Sequence, residues 1–321
     1  MWETLRFSSR AMIATRERPY PHDFEEFIDW FHDEASCVEY LEWIRWPDGF
    51  VCPKCAGRSA WKTSRGLWHC RDCGRQTSLT SGTVFADVRK PLRLWFHVMW
   101  LMMAQKTGIS AKNFKDTFGF GSYQTTWGWL HKLRSVMVVP GRGLLSGEVE
   151  VDETYVGGQK HGARGRGAEG KTPVLVAVEI RDGRLGRCRL RACENVKAAT
   201  VMAFLSDYVE PGTVLHTDGL TSYLCAQDAG FLHHPVVVSK TPVEEGAMSR
   251  VHLVVSLLKR WLSGTLQGAA TPNHLQEYLD EFAFRFNRRL STHRGKLFHR
   301  LMQQAVTARP KGIKQFYVPD H

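Results

Sequence analysis

The stretch EVEVDETYVGG, residues 148–158, decides the fold class of this chain, because an alternating apolar run ends there in two adjacent acids, Asp152 and Glu153. A half-buried strand seldom carries a carboxylate on its inward face, since a desolvated and unpaired charge is costly. The run therefore predicts either a plain strand end or a strand that delivers a carboxylate to a metal ion. The residues around it favour the second interpretation.

Strand and helix patterns alternate after this run. The following segments are, in order, TPVLVAVEIR, RLGRCRLRAC, VKAATVMAFLSDYV, TVLHTDGLTSY, a helix from Thr221, HHPVVVSK and EGAMSRVHLVVSLLKRWLSG. Counted together with the opening strand, the order is three strands, a helix, a strand, a helix, a strand and a helix. This order is typical of a ribonuclease-H-like α/β domain with a mixed sheet. In that order the first and fourth strands are neighbours, so we expect Asp152 and Asp218 at adjacent strand ends.

A pair of carboxylates held that close repels, and it becomes stable when a hard divalent cation binds between the two groups. Two-metal phosphoryl transfer requires such a pair. The alternative is that both acids merely keep the strand ends soluble. Glu153, adjacent to Asp152, is expected on the opposite face of the strand and not as a ligand.

Two Cys-x-x-Cys pairs precede this region, CPKC with Cys52 and Cys55, and HCRDCG with Cys70 and Cys73. Each pair places two thiolates on a tight turn, so the four sulfurs can surround a structural Zn²⁺ in a zinc ribbon. Unliganded cysteines and an iron site of rubredoxin type are the alternatives. A closed four-thiolate site leaves no open coordination position for catalysis, so this metal is predicted to have a structural role.

A helix-turn-helix pattern follows the ribbon. KPLRLWFHVMWLMMAQKTGIS predicts an apolar helix, then a short helix begins at Ser110 and a longer one at Ser122, with a glycine-containing turn between them. In the longer helix, Tyr123, Gln124, Thr125, Lys132 and Arg134 could reach base edges and phosphates, and Lys132 and Arg134 are the predicted DNA contacts. Any small helical core can produce the same pattern.

Charge is distributed unevenly along the 321 residues. Residues 1–51 contain 5 basic side chains (Lys and Arg) and 11 acidic ones (Asp and Glu), a net charge of −6. The basic and acidic counts are 15 and 3 in residues 52–143, a net of +12, and 12 and 14 in residues 144–250, a net of −2. In residues 251–321 they are 11 and 4, a net of +7. Two basic blocks thus flank a near-neutral middle, which indicates a polyanionic partner, although a solvated basic face is the alternative. Neither a signal peptide nor a membrane span is predicted, so a cytoplasmic, nucleoid-associated protein is expected.

Five motifs carry a resemblance to a known family: CPKC…HCRDC, VEVDETYVGG, HTDGLTSY, RVHLVVSLLKRWLSGTLQGA and YLDEFAFRFNRR. Spread over residues 24–305, they resemble the DDE transposases of bacterial insertion sequences. The similar group has a zinc ribbon and a helix-turn-helix ahead of a ribonuclease-H-like catalytic domain. The resemblance implies metal-dependent DNA strand cleavage and strand transfer at the terminal inverted repeats of the element. It also implies Mg²⁺ or Mn²⁺ as the catalytic ion, target DNA as a second partner, and a homo-oligomer in the DNA complex.

Carried over by that resemblance, Asp152 and Asp218 are the first two metal-binding acids. The third acid of the superfamily is a glutamate on the last helix, seven residues before a Lys or Arg. Seven residues before Lys259 stands His252, on the same helical face. His252 is therefore the implied third ligand and Lys259 the contact to a DNA phosphate, whereas an imidazole that only packs or touches phosphate is the alternative.

Further arginines are predicted to contact DNA. Arg164 and Arg166 lie in a basic, glycine-rich loop, for which a solvent loop without DNA contacts is the equal alternative. Arg285, Arg288 and Arg289 are spaced along one helix edge.

The predicted boundaries are an N-terminal helical segment at 1–48, the zinc ribbon at 49–88 and the DNA-binding module at 89–143. The catalytic domain is placed at 144–308 and a tail at 309–321. Two other functions remain open on the sequence alone. One is a DNA-binding regulator whose catalytic domain became a scaffold, which His252 favours; the other is a ribonuclease-H-type nuclease.

Overall fold

The computed structural model describes residues 19–87, 89–138, 141–157, 170–236, 248–266, 271–308 and 316. Their chain separates into two compact units, a first unit of Met1–Val139 with Ser291–His321 and a second unit of Pro140–Leu290. The sequence analysis placed residues up to 308 in the catalytic domain, whereas the structure assigns the residues from Ser291 onward to the first unit. None of the described helices combines the length and the apolar character needed to cross a membrane.

The regular elements are named here in chain order. The first unit contains α1 (Phe24–Trp30), α2 (Glu34–Arg45), β1 (Ala60–Lys62), β2 (Trp68–Cys70), β3 (Gln76–Thr77), α3 (Leu92–Ala104), α4 (Ala111–Phe118) and α5 (Tyr123–Arg134). The second unit contains β4 (Glu148–Val156), β5 (Thr172–Arg181), β6 (Arg184–Ala192), α6 (Ala198–Tyr208), β7 (Val214–Asp218), α7 (Cys225–Asp228), β8 (Leu232–Val236), α8 (Ser249–Leu266) and α9 (Leu275–Phe286). The chain then returns to the first unit with α10 (Arg294–Thr307).

An aromatic core joins the helices of the first unit. The Phe298 ring of α10 lies 5.5 Å from Phe27, 5.7 Å from Phe31 and 5.8 Å from Phe96 between ring centroids. All four side chains are buried, and large rings of this kind contribute much of the burial that stabilises a small core. The last helix of the chain is therefore an integral part of the N-terminal core.

The helix-turn-helix pattern is present as α4 and α5. The Ser110 hydroxyl accepts a hydrogen bond from Asn113 N and so caps α4, as the sequence predicts. Gly119 ends α4 in the left-handed conformation at φ 65°, which a residue without Cβ adopts at no steric cost. Ser122 occupies the N-cap position of α5, but no side-chain capping bond is made there, and its hydroxyl donates to Gln124 Oε1 instead.

The sheet of the second unit has the strand order β6-β5-β4-β7-β8. The first three strands pair antiparallel, and β7 joins β4 in parallel, as does β8 with β7. The predicted neighbourhood of the first and fourth strands is thus confirmed, and with it the ribonuclease-H-like fold.

Alternation along the strands creates a core on each face of this sheet. On β5, Val174, Val176 and Val178 pack with α8 and α9, whereas Leu175 and Ala177 pack with α6. Side chains of successive strand residues point to opposite faces, so a fully apolar strand serves both layers. The second unit is consequently a three-layer α/β/α domain with its sheet buried between helices.

Candidate active site

Three acids meet where the pairing of β4 and β7 stops. The parallel ladder ends at the pair Val151↔Thr217, and Asp152, Glu153 and Asp218 follow directly. One carboxylate oxygen from each lies within 4.8 Å of the others. The expected proximity of the two aspartates is therefore observed, and Glu153 joins them.

Glu153 lies nearer to the two aspartates than its strand face suggests. It does lie on the strand face opposite Asp152, because its carboxylate accepts a hydrogen bond from Tyr223, which packs with Val149 and Val151. Its side chain nevertheless brings an oxygen to the two aspartates. Beyond Val151, β4 is no longer paired with β7, so this edge of the strand is open. The Glu153 side chain reaches the aspartates at that open edge, although it starts from the other face of the strand.

A separate donor orients each acid. Glu153 N donates to Asp152 Oδ1 at 2.9 Å, Leu220 N donates to Asp218 Oδ1 at 3.1 Å, and Tyr223 Oη donates to Glu153 Oε2 at 3.3 Å. The acids are half-buried, so each carboxylate is partly shielded from water. These hydrogen bonds hold the three carboxylates in place.

Burial and repulsion from neighbouring acids raise the pKa of Asp152 and of Glu153. Burial is the main cause that raises the pKa of Asp152, and Asp218 raises it further, while His252, the backbone N–H of Glu153 and Lys259 oppose the change. Burial, followed by the charges of Asp218 and Asp152, also raises the pKa of Glu153. An oxygen-only donor set with unfavourable mutual repulsion fits a hard divalent cation, which would remove that repulsion.

The exposed face of α8 borders the cluster. His252 Nε2 lies 3.4 Å from Asp152 Oδ2, and the imidazole is 63% exposed. Ser256 and Lys259 follow at helical spacing on the exposed side, whereas Val251 and Val254 are buried in the core. The structure thus brings Asp152 close to Asp218 and to His252, and places Lys259 on the same helix face as His252.

A buried glutamate that the sequence analysis missed holds the start of α8. Glu150 is 2% exposed, and its Oε2 accepts a hydrogen bond from Val251 N at 2.7 Å, while Oε1 lies 3.7 Å from Arg250 Nη1. A carboxylate at a helix N-terminus satisfies an otherwise unpaired N–H and interacts favourably with the helix dipole. The signal in the sequence is the acid two residues before Asp152, on the same face of β4.

The four predicted zinc ligands lie together. Their Sγ atoms lie within 4.8 Å of one another, with Cys52 3.6 Å from Cys73 and Cys55 3.6 Å from Cys70. Sulfurs bound tetrahedrally at about 2.3 Å from Zn²⁺ would be separated by about 3.8 Å, so the observed arrangement fits a structural zinc.

The structure contradicts the two DNA contacts predicted at the end of α5. Lys132 is 6% exposed and donates to Ala86 O at 3.3 Å, and Arg134 is 2% exposed. Burial lowers the pKa of Lys132, against the charge of Asp87. Exposed side chains on α5 stand instead at its beginning, at Tyr123, Gln124 and Thr125.

The C-terminal arginines are engaged within the second unit. Arg285 is 12% exposed and donates from Nε to Glu281 Oε1 at 2.9 Å. Arg288 donates to Phe284 O and Arg289 to Gly186 O, each at 3.0 Å. Arg285 is therefore engaged in a buried ion pair, whereas Arg288 is half-buried and Arg289 is exposed, and their contact with DNA stays a prediction. Arg164 and Arg166 lie outside the described residues.

Comparison with known proteins relates the chain to transposable elements. Residues 144–287 match the ISXO2-like transposase domain, and residues 32–76 match the transposase zinc-ribbon domain. An uncharacterized protein in transposable element ISH50 of Halobacterium salinarum is 28% identical over 283 residues, covering 80% of this chain and 92% of that protein.

Two solved structures resemble the chain more distantly. A pre-cleavage Mos1 transpososome is 12% identical with a TM-score of 0.26, covering 65% of this chain and 78% of that one. The Mos1 strand transfer complex is 12% identical with a TM-score of 0.27, covering 66% of this chain and 74% of that one. Scores of this size do not establish a common fold.

The ribonuclease-H-like domain and the four-cysteine ribbon that precedes it correspond to the two matched family domains. By its two family matches, the chain belongs to the insertion-sequence transposases that carry an N-terminal zinc ribbon. It is a transposase of that family.

Proposed function

We propose that this protein cleaves DNA strands at the terminal inverted repeats of an insertion sequence and transfers the free ends to target DNA. The observation that carries the proposal is the meeting of Asp152 and Asp218 at the ends of two adjacent parallel strands, with carboxylate oxygens within 4.8 Å. The transposase domain that the chain matches covers both residues.

Asp152 and Asp218 would hold Mg²⁺ or Mn²⁺, with His252 beside them. The bound cation would supply Lewis-acid activation of the scissile phosphate and of the attacking oxygen. Lys259 carries a positive charge on the helix face that borders the acids, so it is suited to neutralise a phosphate of the bound strand. His252, with Nε2 3.4 Å from Asp152 Oδ2, can hold a proton at that nitrogen next to the reacting groups.

The first unit is proposed to supply DNA recognition. Its ribbon carries the exposed Trp61, with the Arg71 guanidinium 5.7 Å from the ring centroid, and flat rings of this kind stack on bases. The exposed start of α5 presents Tyr123, Gln124 and Thr125, the part of a recognition helix that reads base edges in helix-turn-helix proteins. A homo-oligomer would bring two repeat ends together, as the family resemblance implies.

The test is cleavage of a labelled duplex that carries the element's own inverted repeat, with Mg²⁺ or Mn²⁺ added. Asp152→Asn and Asp218→Asn should each abolish cleavage and leave duplex binding unchanged, because both act on the cation and not on recognition. Glu148→Gln is the matched control, since Glu148 lies on the same strand and pairs with His216 at 2.9 Å.

If the parent protein binds the repeat but cuts it with neither metal, the DNA-binding regulator becomes the better account. Cleavage of RNA–DNA hybrids in preference to the repeat duplex would favour the ribonuclease.

A further inference from the structure

The proposed cation site is short of negative charge when only the implied ligands are counted. Asp152 and Asp218 supply carboxylates, but His252 stands where the family resemblance implies a third. An imidazole contributes no negative charge and is a poor ligand for Mg²⁺, which prefers oxygen. A further oxygen ligand would compensate for the substitution.

Glu153 is placed to provide that oxygen. One of its carboxylate oxygens lies within 4.8 Å of an oxygen of Asp152 and of an oxygen of Asp218. All three acids stand beyond the last pair of the β4–β7 ladder, where the edge of β4 is open. The approach comes from the opposite side of the strand, so Glu153 and His252 flank Asp152 from two faces.

Tyr223 fixes the orientation of the glutamate. The tyrosine is fully buried, and its hydroxyl donates to Glu153 Oε2 at 3.3 Å, which occupies one oxygen and leaves Oε1 for another partner. A glutamate needed only to satisfy the Tyr223 hydroxyl would gain nothing from standing beside two other carboxylates. Repulsion among three acids disfavours the empty cluster and is relieved when a cation binds.

We propose that Glu153 is the third carboxylate ligand of the divalent-cation site, in place of the helix glutamate that His252 has replaced. The inference rests on the proposed function, since it assumes that Asp152 and Asp218 bind the cation. It predicts a site with one carboxylate from β7 and two successive carboxylates from β4.

The measurement is Mn²⁺ binding to the full zinc-loaded chain, followed by the electron paramagnetic resonance signal of free Mn²⁺. Glu153→Gln keeps a hydrogen-bond acceptor for Tyr223 but removes the charge. It should weaken Mn²⁺ binding by about tenfold or more, because even indirect partners of metal ligands change affinity by about 10- to 100-fold. Tyr223→Phe, which removes only the hydroxyl, should have a smaller effect, and Glu148→Gln should have none.

A second readout is the shift in melting temperature that Mn²⁺ produces. The parent should gain stability on adding Mn²⁺, and Glu153→Gln should lose most of that gain while melting no lower than the parent without metal. Mn²⁺ affinity unchanged in Glu153→Gln but lost in Asp152→Asn would overturn the inference and leave the proposed function intact. Mn²⁺ affinity unchanged in Asp152→Asn and Asp218→Asn as well would overturn both.

Discussion

The imidazole of His252 changes the chemistry of a site whose other implied ligands are oxygens. Its Nε2 stands 3.4 Å from Asp152 Oδ2, so it is close enough to share a cation with that carboxylate or to donate a proton to it. Mn²⁺ accepts nitrogen ligands more readily than Mg²⁺ does. We therefore expect this single side chain to influence which ion supports activity.

We expect cleavage by the parent protein to be faster with Mn²⁺ than with Mg²⁺. His252→Glu should shift the preference toward Mg²⁺, because it restores a charged oxygen ligand, and His252→Ala should slow cleavage by about 10- to 100-fold. Rates on a labelled repeat end in each metal measure both effects. Ser256→Ala, one turn further along the exposed face of α8, is the control. A His252→Ala protein that cuts like the parent would exclude the residue from the site.

The two aspartates could be predicted from the sequence and the third acid could not. Strand order alone places Asp152 and Asp218 at neighbouring ends, since parallel strands share their direction. For Glu153 the alternation of side chains gives the correct face, but it does not reveal that the carboxylate reaches the two aspartates. The place where the β4–β7 ladder ends depends on the packing of the whole sheet, which no local pattern encodes.

At the scale of elements, Glu150 links the strand of the acids to the helix of His252. It accepts the N–H of Val251 at 2.7 Å from inside the core, and it lies two residues before Asp152 on the same face of β4. One strand therefore carries both an acid of the site and the anchor for the helix that borders it. This arrangement fixes His252 relative to Asp152.

Removing the anchor should loosen the start of α8. Glu150→Ala leaves the N–H of Val251 buried without its acceptor, at a cost of about 1–3 kcal/mol, whereas Glu150→Gln keeps an acceptor and should cost less. Hydrogen–deuterium exchange of peptides from α8 measures the effect, with faster exchange in the first turn expected for Glu150→Ala. Exchange equal to the parent's would show that the contact contributes little.

The beginning and the end of α5 should respond differently to substitution. Gln124→Ala should reduce the preference for the repeat end over unrelated DNA by about 1–3 kcal/mol if the exposed residue reads a base edge. Lys132→Ala should leave that preference unchanged and lower the melting temperature of the first unit, because it removes the bond to Ala86 O. Competition binding and thermal melting separate the two. The opposite pattern would place DNA recognition at the end of the helix.

Periodicity identified α5 but not the depth at which it is buried. Trp129 and Leu133 mark the apolar face of the helix, and the sequence pattern alone leaves Lys132 and Arg134 beside that face as solvent-exposed charges. The structure buries all residues from Gly128 to Arg134. Long basic side chains can lie along apolar surface with the charged end on a carbonyl, so their burial depends on tertiary packing.

At the scale of the whole molecule, a histidine of the last helix belongs to the core of the first unit. His299 is 8% exposed, and its Nδ1 lies 2.8 Å from the Tyr40 hydroxyl. Burial, aided by the charge of Arg300, lowers the pKa of His299 to about 4. The folded first unit therefore holds this imidazole neutral under ordinary conditions.

This pKa makes the first unit sensitive to acid. An unfolded histidine takes up a proton near pH 6.5, whereas the folded one does so only near pH 4. The unfolded state thus binds more protons between these values, and stability falls as the pH falls from about 6.5 to about 4, by about 3 kcal/mol at most.

His299→Gln should flatten this dependence, and His32→Gln should not, because His32 is 67% exposed in the same unit. Melting temperatures at pH 7 and pH 5 give the comparison, and equal slopes for His299→Gln and the parent would contradict the assignment.

The largest difference between the predicted boundaries and the structure is the core in which α10 packs. Its amphipathic pattern shows that one face is buried, but a hydrophobic face does not specify which core receives it. Phe298 packs on Phe27 and Phe31, more than 260 residues earlier in the chain. The boundary at 308 followed from sequence order, which does not determine the partner of a helix.

Because α10 packs in the first unit, that unit cannot be completed until the end of synthesis on the ribosome. The segment Pro140–Leu290 must be translated after the first helices and before α10, which takes roughly 8–30 s at about 5–20 residues per second. During that interval the nascent first unit lacks Phe298 and the rest of the helix that completes its aromatic core. The first unit is thus the first part of the protein to be synthesised, but its core is completed last. A message truncated anywhere before α10 yields a chain with an incomplete first unit.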